Sequence, residues 1–305
     1  MIPIFFGSLN KNPKLLGEEK RVLKLAGLAL ASLFLTPILL GGAFFKTLNK
    51  QAPLFIGLLC LVFSAAAFGA VHVHLGVLVG ALLSMVLLYS YGESRGISFF
   101  TLSGLSLCFG VVVWLFGTQI VFSYLNQTWA AESRAFAEII QSQLVKAAGA
   151  DIGVTAEQIQ MQFPGSLLSF FILFLGFSVG FERKAHALFG VPFERYAGQL
   201  RPLEFRVPDF LLWVVLFGIL FSIFDQVRWL QIIGENIITI GLAIYFFQGL
   251  AILEVFLLFL RVHPFLKFFT YFTLVGQLLL VISAIGFIDF WLDLRKKMRN
   301  SLQRT

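Results

Sequence analysis

The chain has 305 residues, of which 58% are hydrophobic and only 13% are charged. A typical soluble domain carries about 25% charged residues, so this composition excludes an ordinary soluble protein and, with a mean hydropathy of +0.89, predicts a protein that lies in a lipid bilayer. The net charge of +7 does not indicate nucleic-acid binding, because Lys and Arg lie mainly at the termini and between apolar runs, where they anchor helices to headgroups.

Eight apolar runs predict an all-α integral membrane protein, a polytopic helical bundle of about eight spans. A helix needs about 20 apolar residues to cross the hydrocarbon core. The first run lacks a cleavage site and is long for a signal peptide, so we expect it to remain as a membrane helix. The runs are 22–45, two within 53–91 with a break at Ala70–His74, 97–124, 167–181, 208–224, 237–260 and 264–292.

This pattern divides the chain into five segments. We predict a polar N-terminal segment at 1–21, N-terminal membrane helices at 22–124, an amphipathic extramembrane helical segment at 125–164, C-terminal membrane helices at 165–292 and a basic tail at 293–305.

The extramembrane segment is expected to lie on the membrane surface or to fold over it as a lid. Thr128 is a suitable N-cap for an amphipathic helix, and Gly149 to Gly153 ends the helical pattern. Thr155 and Gln158 then predict the capping box of a second, short helix.

The distribution of Lys and Arg favours cytoplasmic termini but leaves the middle of the topology open. Eight simple crossings put 13 basic residues inside and 10 outside. If 53–91 makes an odd number of net crossings and 264–292 an even number, 18 basic residues lie inside and 5 outside. The positive-inside rule favours this second scheme. The second scheme needs re-entrant or broken segments, which are tolerated only where protein buries them or where they line a cavity.

No catalytic motif is present, so the sequence predicts a protein that is not an enzyme and needs no cofactor or metal. His72 and His74 would point about 200° apart in a helix, which makes polar residues at a helix junction a better interpretation than a metal pair. Cys60 and Cys108 lie inside apolar runs and predict no disulfide framework.

The seventh run carries the candidate ligand-binding residues. Glu254 lies about 10 Å inside Arg261 along a helix, and an ionisable residue at such depth is a functional hypothesis by default. The alternatives for Glu254 are a structural pair with Arg261 or a position near a short helix end. The alternative for Gln248 is an interhelical hydrogen bond beside Gly249. The four candidates are Glu254, Asn236, Gln248 and Thr239.

The C-terminal third resembles the closing signature of the YybS-like family of predicted bacterial membrane proteins. The resemblance lies in Gln248-Gly249-Leu250-Ala251, in Gly286-Phe287-Ile288-Asp289-Phe290-Trp291 and in Arg295, with a further likeness at Arg206-Val207-Pro208. It implies a multi-pass protein of the bacterial cytoplasmic membrane, related to the substrate-binding subunits of energy-coupling-factor transporters, with ATPase and coupling subunits on separate chains. The signature residues with an implied structural role are Gly249, Gly286, Asp289, Trp291 and Arg295.

Two functions from different classes follow from the sequence. The first is a transporter subunit that binds a small molecule, and the second is a non-catalytic scaffold or regulator that binds other membrane proteins. The first predicts a polar cavity beside Glu254, whereas the second predicts a packed bundle whose small-residue surfaces meet partners.

Overall fold

The computed structural model describes residues 13–36, 39–149, 153–193, 205–224, 226–260 and 279–302, with six further positions between 262 and 273. Every regular element in this part of the chain is a helix, which confirms the predicted class. The helices are α1 (Pro13–Leu35), α2 (Gly41–Gln51), α3 (Leu54–Val71), α4 (Val73–Ser94), α5 (Phe99–Leu125), α6 (Trp129–Ala148), α7 (Ala156–Gly180), α8 (Glu182–Leu188), α9 (Asp209–Ser222), α10 (Arg228–Phe259), α11 (Leu279–Leu292) and α12 (Leu294–Leu302).

Five of these helices, α3, α4, α5, α7 and α10, are long and apolar enough to cross a membrane. Two more, α9 and α11, are apolar but have only 14 residues each. Fourteen residues span about 21 Å, which is less than a hydrocarbon core of about 30 Å. The predicted count of about eight spans is therefore not confirmed, and most of 264–278 lies outside the described residues.

The first apolar run folds back on itself. Arg21 at the start of the run donates to the Gln51 carbonyl at 3.4 Å, and Gly41 packs against the backbone of Ser32 and Thr36. Helices α1 and α2 are therefore antiparallel and form a hairpin, so the prediction of one span over 22–45 is wrong. The turn follows from Pro37 in the sequence, which disfavours a helical residue before it, and from Leu39, whose φ of 65° is left-handed.

The second apolar run forms the pair α3 and α4, as its predicted break required. His72 is extended and separates the two helices. A Cβ on Gly76 would meet the Ala65 carbonyl at 2.6 Å and the Gly69 Cα at 2.6 Å, so the absence of a side chain lets the two helices approach closely. The main core then forms where α4 meets α2, α5 and α7, and includes Phe45, Leu82, Met85, Phe171 and Phe174.

In the segment that was predicted to lie outside the membrane, the predicted caps are confirmed but the predicted helix length is not. The Thr128 side chain accepts from the Ala131 amide, Gly149 ends α6 with a φ of 68°, and Thr155 with Gln158 forms the capping box. The helix that this box starts is not short, because α7 continues for 25 residues through Pro164 and includes the predicted fifth span. Helix α6 lies against α7, where Gln160 donates to the Ser133 hydroxyl at 2.7 Å.

Helices α10 and α11 run parallel and in close contact. The Ser283 hydroxyl donates to the Leu242 carbonyl at 2.9 Å, and six residues later in α10 the Gln248 amide donates to the Gly286 carbonyl at 2.9 Å. A Cβ on Gly249 would overlap the Ile282 carbonyl, and a Cβ on Gly286 would overlap the Tyr245 carbonyl. Both signature glycines thus lie where two helix backbones touch.

The helix ends gather on two opposite faces. The first face holds the ends of α2 and α4, the start of α5, α8, residues 205–208 and α12, where the rings of Phe99 and Phe205 lie 6.0 Å apart and Arg295 donates to the Phe205 carbonyl at 2.7 Å. The second face holds α6 and the starts of α7 and α10, which Glu157 and Arg228 join at 2.9 Å.

Candidate functional site

Five ionisable side chains from three helices meet at the first face, and we call them the ion cluster. Lys46 and Lys50 lie four residues apart on one side of α2, and Glu182 and His186 have the same spacing on α8. Glu93 belongs to the last turn of α4. Helix α2 of the hairpin therefore supplies the two cations. Helix α4 supplies one carboxylate, and α8 supplies the other carboxylate and the imidazole.

The two lysines and two glutamates alternate in a closed set of ion pairs. The Lys46 ammonium lies 3.0 Å from a Glu93 oxygen and 2.8 Å from a Glu182 oxygen. The Lys50 ammonium lies 2.7 Å from Glu93 and 2.5 Å from Glu182. Each charge thus has two neighbours of opposite sign, and the four charges sum to zero.

The ion cluster is almost wholly removed from solvent. The side-chain exposure is 0% for Lys46, 5% for Lys50, 4% for Glu93, 1% for Glu182 and 1% for His186. Lys and Glu are almost never fully buried unless they are paired, and taking ions out of water costs several kcal/mol per ion. A chain with only 13% charged residues therefore places five ionisable side chains in one buried cluster.

Aromatic rings and one backbone carbonyl enclose the ion cluster. The Lys46 ammonium lies 4.7 Å from the centre of the Tyr89 ring, and the Lys50 ammonium lies 6.0 Å from that of Phe193. His186 Nδ1 lies 2.9 Å from the Pro192 carbonyl, while its Nε2 lies 3.8 Å from a Glu182 oxygen. Because a carbonyl oxygen only accepts, Nδ1 carries the proton in the neutral ring and Nε2 faces the carboxylate.

The surroundings shift the pKa values of two cluster residues toward their charged forms. Burial raises the pKa of the Glu182 carboxyl, but the charged groups beside it, which include the ammonium groups of Lys46 and Lys50, outweigh burial and lower that pKa from 4.5 to about 2. Burial lowers the pKa of Lys50, but Glu182 and Glu93 outweigh it and raise that pKa above 10.5. Both groups are therefore ionised at neutral pH.

We expect acid, and not mild alkali, to weaken the fold through Glu182. A carboxyl whose pKa is depressed in the folded state stabilises above its unfolded pKa, and this contribution is lost as the pH falls through the folded value. The loss for Glu182 should therefore run from pH 4.5 down to about 2. Thermal unfolding of the wild type and of Glu182→Gln at pH 7, 4.5 and 2.5 measures it, and a difference in midpoint that stays constant over this range would contradict it.

The ion cluster was not predicted from the sequence, because its members lie far apart in the chain. Lys46 and Glu182 are 136 residues apart, and each belongs to a different polar connection between apolar runs. The available signal was the spacing of four residues that Lys46 shares with Lys50 and Glu182 shares with His186. Each pair marks one polar side of a short helix between apolar segments.

A second polar group on the first face contains three signature residues. Asp289 Oδ2 accepts from Arg295 Nη2 at 2.9 Å, and its Oδ1 accepts from the Leu294 amide at 2.8 Å. The Gln248 amide oxygen accepts from the Val207 amide at 2.8 Å, and its nitrogen donates to Gly286. These contacts fix residues 205–208, where the chain leads into α9, while Trp291 is exposed.

The four predicted ligand-binding residues do not converge on one point. Gln248 is buried against α11, whereas Asn236 contacts α7 at the other end of α10. Thr239 donates to the Glu235 carbonyl within its own helix at 2.8 Å. Glu254 is half-buried, and its predicted partner Arg261 lies outside the described residues. The role assigned to Glu254 stays a prediction.

Asn236 completes the hydrogen bonding of α7 beside Pro164. Its side-chain oxygen accepts from the Gly165 amide at 2.5 Å, and its nitrogen donates to the Met161 carbonyl at 3.1 Å. In a regular helix these two backbone groups bond to each other, so the amide of Asn236 is inserted into the ladder of α7. A Cβ on Gly165 would lie 2.5 Å from the Asn236 oxygen, so this position has no room for a side chain.

Replacing Asn236 with alanine is expected to destabilise the protein by about 1–3 kcal/mol, the cost of leaving buried polar groups unsatisfied. The Gly165 amide and the Met161 carbonyl lose their partner. Unfolding in mixed micelles with increasing SDS, followed by circular dichroism, measures the change. Asn236→Gln keeps the amide group but places it one methylene further out, so it shows whether the position of the amide matters as well as its presence. An unchanged unfolding midpoint for Asn236→Ala would refute the role.

His72 and His74 lie at the junction of α3 and α4, where their ring centroids are 5.3 Å apart. The extended backbone at His72 brings the rings together, in contrast to the opposite directions expected within one helix. His74 also packs on Phe122 of α5 at 5.3 Å. Among the residues that the structure describes, no three His, Cys, Asp or Glu side chains are grouped as a metal site.

The comparisons with known proteins give one match. A family model described as a predicted membrane protein, DUF2232, matches residues 22–290, which is most of the chain. No curated protein and no solved structure matches the chain.

Proposed function

Because the chain belongs to the DUF2232 family of predicted membrane proteins, we propose that it works within the bilayer as a subunit that binds and transports a small charged molecule. In this proposal the α1–α2 hairpin is the moving part, and the ion cluster holds it closed. The observation that carries the proposal is the closed set of ion pairs between Lys46 and Lys50 of the hairpin and the glutamates of the bundle.

Two features of the hairpin support a role in transport. Helix α2 has 11 residues and turns back beside α1 without crossing a full bilayer. Broken or re-entrant helices with ionisable residues are the arrangement by which many transporters build their binding sites. The second feature is that the cations and anions of the ion cluster belong to different structural units, so that separating the units separates the charges.

A charged solute can exchange with the internal ion pairs. A carboxylate of the solute would take the place of Glu93 or Glu182 beside a lysine, and an ammonium group would take the place of a lysine beside a glutamate. A solute charge that replaces an internal one has a similar desolvation cost and forms a similar ion pair. The exchange therefore changes the free energy of the protein little. The proposal therefore favours solutes that carry at least one full charge.

The charge distribution supports a cytoplasmic first face, and with it cytoplasmic termini. Within the described residues the second face carries only three basic residues, whereas the first carries Lys20, Arg21, Lys24, Lys46, Lys50, Arg95, Arg183, Lys184, Arg206, Arg295, Lys296 and Lys297; the three on the second face are Arg134, Lys146 and Arg228.

Cysteine labelling tests this orientation. Cys60 and Cys108 are first replaced with alanine, and Ser142 on α6 or Ser94 on α4 is then replaced with cysteine. Both serines are exposed and belong to opposite faces. A membrane-impermeant maleimide added to intact cells should label the Ser142→Cys protein and not the Ser94→Cys protein. The reverse pattern would place the first face outside.

A ligand panel tests the transport proposal. The purified protein is heated with amino acids, dicarboxylates, diamines or neutral sugars, because a ligand that binds the native state raises its unfolding temperature. We expect a charged class to raise the midpoint and neutral sugars to leave it unchanged. The double variant Lys46→Met/Glu182→Gln, which removes one charge of each sign, should lose the shift. A shift that persists in this variant, or no shift with any charged class, would refute the proposal.

One observation favours a scaffold as the second candidate function. Helix α6 exposes Phe136 and Ile139, which are three residues apart and therefore neighbours on one side of the helix. In that case cross-linking in membranes through α6 should capture a defined partner protein. A separate ATPase among the captured chains would favour transport, and other membrane proteins would favour the scaffold.

A further inference from the structure

We infer that His186 and Glu182 form a proton-binding site, and that the proton is the ion whose binding opens the α1–α2 hairpin. The inference rests on the proposed function and names the ion that drives the same site. The observation behind it is Nε2 of His186, the ring nitrogen that forms no hydrogen bond.

The geometry gives His186 one position for an added proton. Nδ1 is committed to the Pro192 carbonyl at 2.9 Å, so the neutral ring keeps its hydrogen there. Nε2 is buried and forms no direct hydrogen bond, and the Glu182 oxygen in front of it is 3.8 Å away. A proton that binds Nε2 lies between the imidazole and the carboxylate. Imidazole is the side chain that gains and loses a proton most readily near neutral pH.

Charged groups from every neighbouring element face this position. Helix α2 contributes Lys46 and Lys50, α4 contributes Glu93 and the Tyr89 ring, and α8 contributes Glu182 itself. Lys24 of α1 donates to the Gly190 carbonyl at 2.7 Å and so fixes the segment that carries Pro192. With His186 neutral, the two ammonium groups and two carboxylates balance.

A proton on Nε2 leaves the ion cluster with one excess positive charge. An uncompensated charge in a buried site is strongly destabilising, and the protonated imidazole competes with both lysines for Glu182. Lys50 is the lysine most easily released, because it lies one residue before the end of α2 and retains a little solvent exposure. Its release to water restores the balance and frees the end of the hairpin. Loss of the proton reverses the sequence, and no covalent bond other than N–H changes.

Cys60 provides a reporter for this movement. Its sulfur lies 3.4 Å from the Ser32 hydroxyl of α1, so the closed hairpin covers one side of the thiol. Cys108 on α5 is exposed on the outer surface and away from the hairpin. The Cys108→Ala variant retains Cys60 and reports on the hairpin. The Cys60→Ala variant retains Cys108 and reports the direct effect of pH on a thiol.

The experiment compares rates of modification by N-ethylmaleimide in nanodiscs at pH 7.5 and 5.5. Relative to the Cys108 thiol, the Cys60 thiol should react about fivefold faster at pH 5.5 than at pH 7.5, the lower range of coupling between a bound ion and a conformational equilibrium. His186→Gln retains a hydrogen-bond donor but takes no proton. In this variant the relative rate of the Cys60 thiol should be the same at both pH values. Gel filtration and circular dichroism confirm that the variant is folded.

The possible results separate the two proposals. An equal acid response in the wild type and in His186→Gln would overturn the proton site but leave the ligand panel, run at one pH, to support transport. A Cys60 thiol that is equally slow at both pH values, and with any charged solute, would overturn both, because the hairpin would then be a fixed element.

Discussion

Lys46→Met is expected to lower the free energy of unfolding by about 3–5 kcal/mol, the cost of removing one partner from a buried ion pair. The Lys46 ammonium is fully buried and lies between Glu93 and Glu182. Methionine has a similar length and no charge, so the variant removes the charge with little change in volume. The variant would remove the two ion pairs by which Lys46 joins α2 to the end of α4 and to α8. SDS-induced unfolding in mixed micelles, followed by circular dichroism, measures the loss.

Two matched variants make this prediction specific. Lys20→Met introduces the same substitution at an exposed position of α1 and should change stability by less than about 0.5 kcal/mol. Lys46→Met/Glu182→Gln removes one charge of each sign, so Lys50 and Glu93 remain balanced, and part of the loss should be recovered. If Lys46→Met is as stable as Lys20→Met, the ion cluster does not hold the hairpin.

Asp289→Ala is expected to cost a similar amount, about 3–5 kcal/mol. The carboxylate is 4% exposed, pairs with Arg295 at 2.9 Å and accepts from the Leu294 amide at 2.8 Å. Without it, the Arg295 guanidinium retains the Phe205 carbonyl as an acceptor but loses its ion pair, and α12 loses an acceptor at its first turn. The same unfolding assay applies. Residues 205–208 should also become more accessible, which hydrogen exchange of that segment measures.

Asp293→Asn is the control for this second prediction. It removes one carboxylate four residues away at an exposed position, and asparagine tolerates the left-handed backbone that Asp293 adopts at a φ of 44°. Asp289→Asn tests charge against shape, because it retains an acceptor oxygen for the Leu294 amide and loses the ion pair. A cost for Asp289→Ala no larger than for Asp293→Asn would show that Asp289 only marks the membrane exit.

The two buried groups differ in what a single sequence reveals about them. Asp289 and Arg295 are six residues apart and belong to one short motif, so the resemblance to a known signature drew attention to both. The members of the ion cluster lie in three separate connections, and none stands out alone. Glu254 drew attention because it interrupts an apolar helix, and the structure places it half-buried on α10.

By itself the sequence determined the features that depend on neighbouring residues. Apolar runs predicted helices in a bilayer, Thr128 and Thr155 predicted the helix starts that form, and the break between α3 and α4 lies within the predicted Ala70–His74. These features follow from local hydrogen bonding and from the solvation of each segment, so they need no knowledge of the rest of the chain.

Only the tertiary structure decided whether the first apolar run crosses or turns back, and which charges meet. Hydropathy is the same for a helix that spans and for two half-length helices that pack together, so it does not distinguish them. Which charges pair in the interior depends on their distance in space and not on their distance in the chain. Lys46 pairs with Glu182 because the hairpin returns beside α7. The insertion of Asn236 into α7 has the same cause, since it needs two helices in one register.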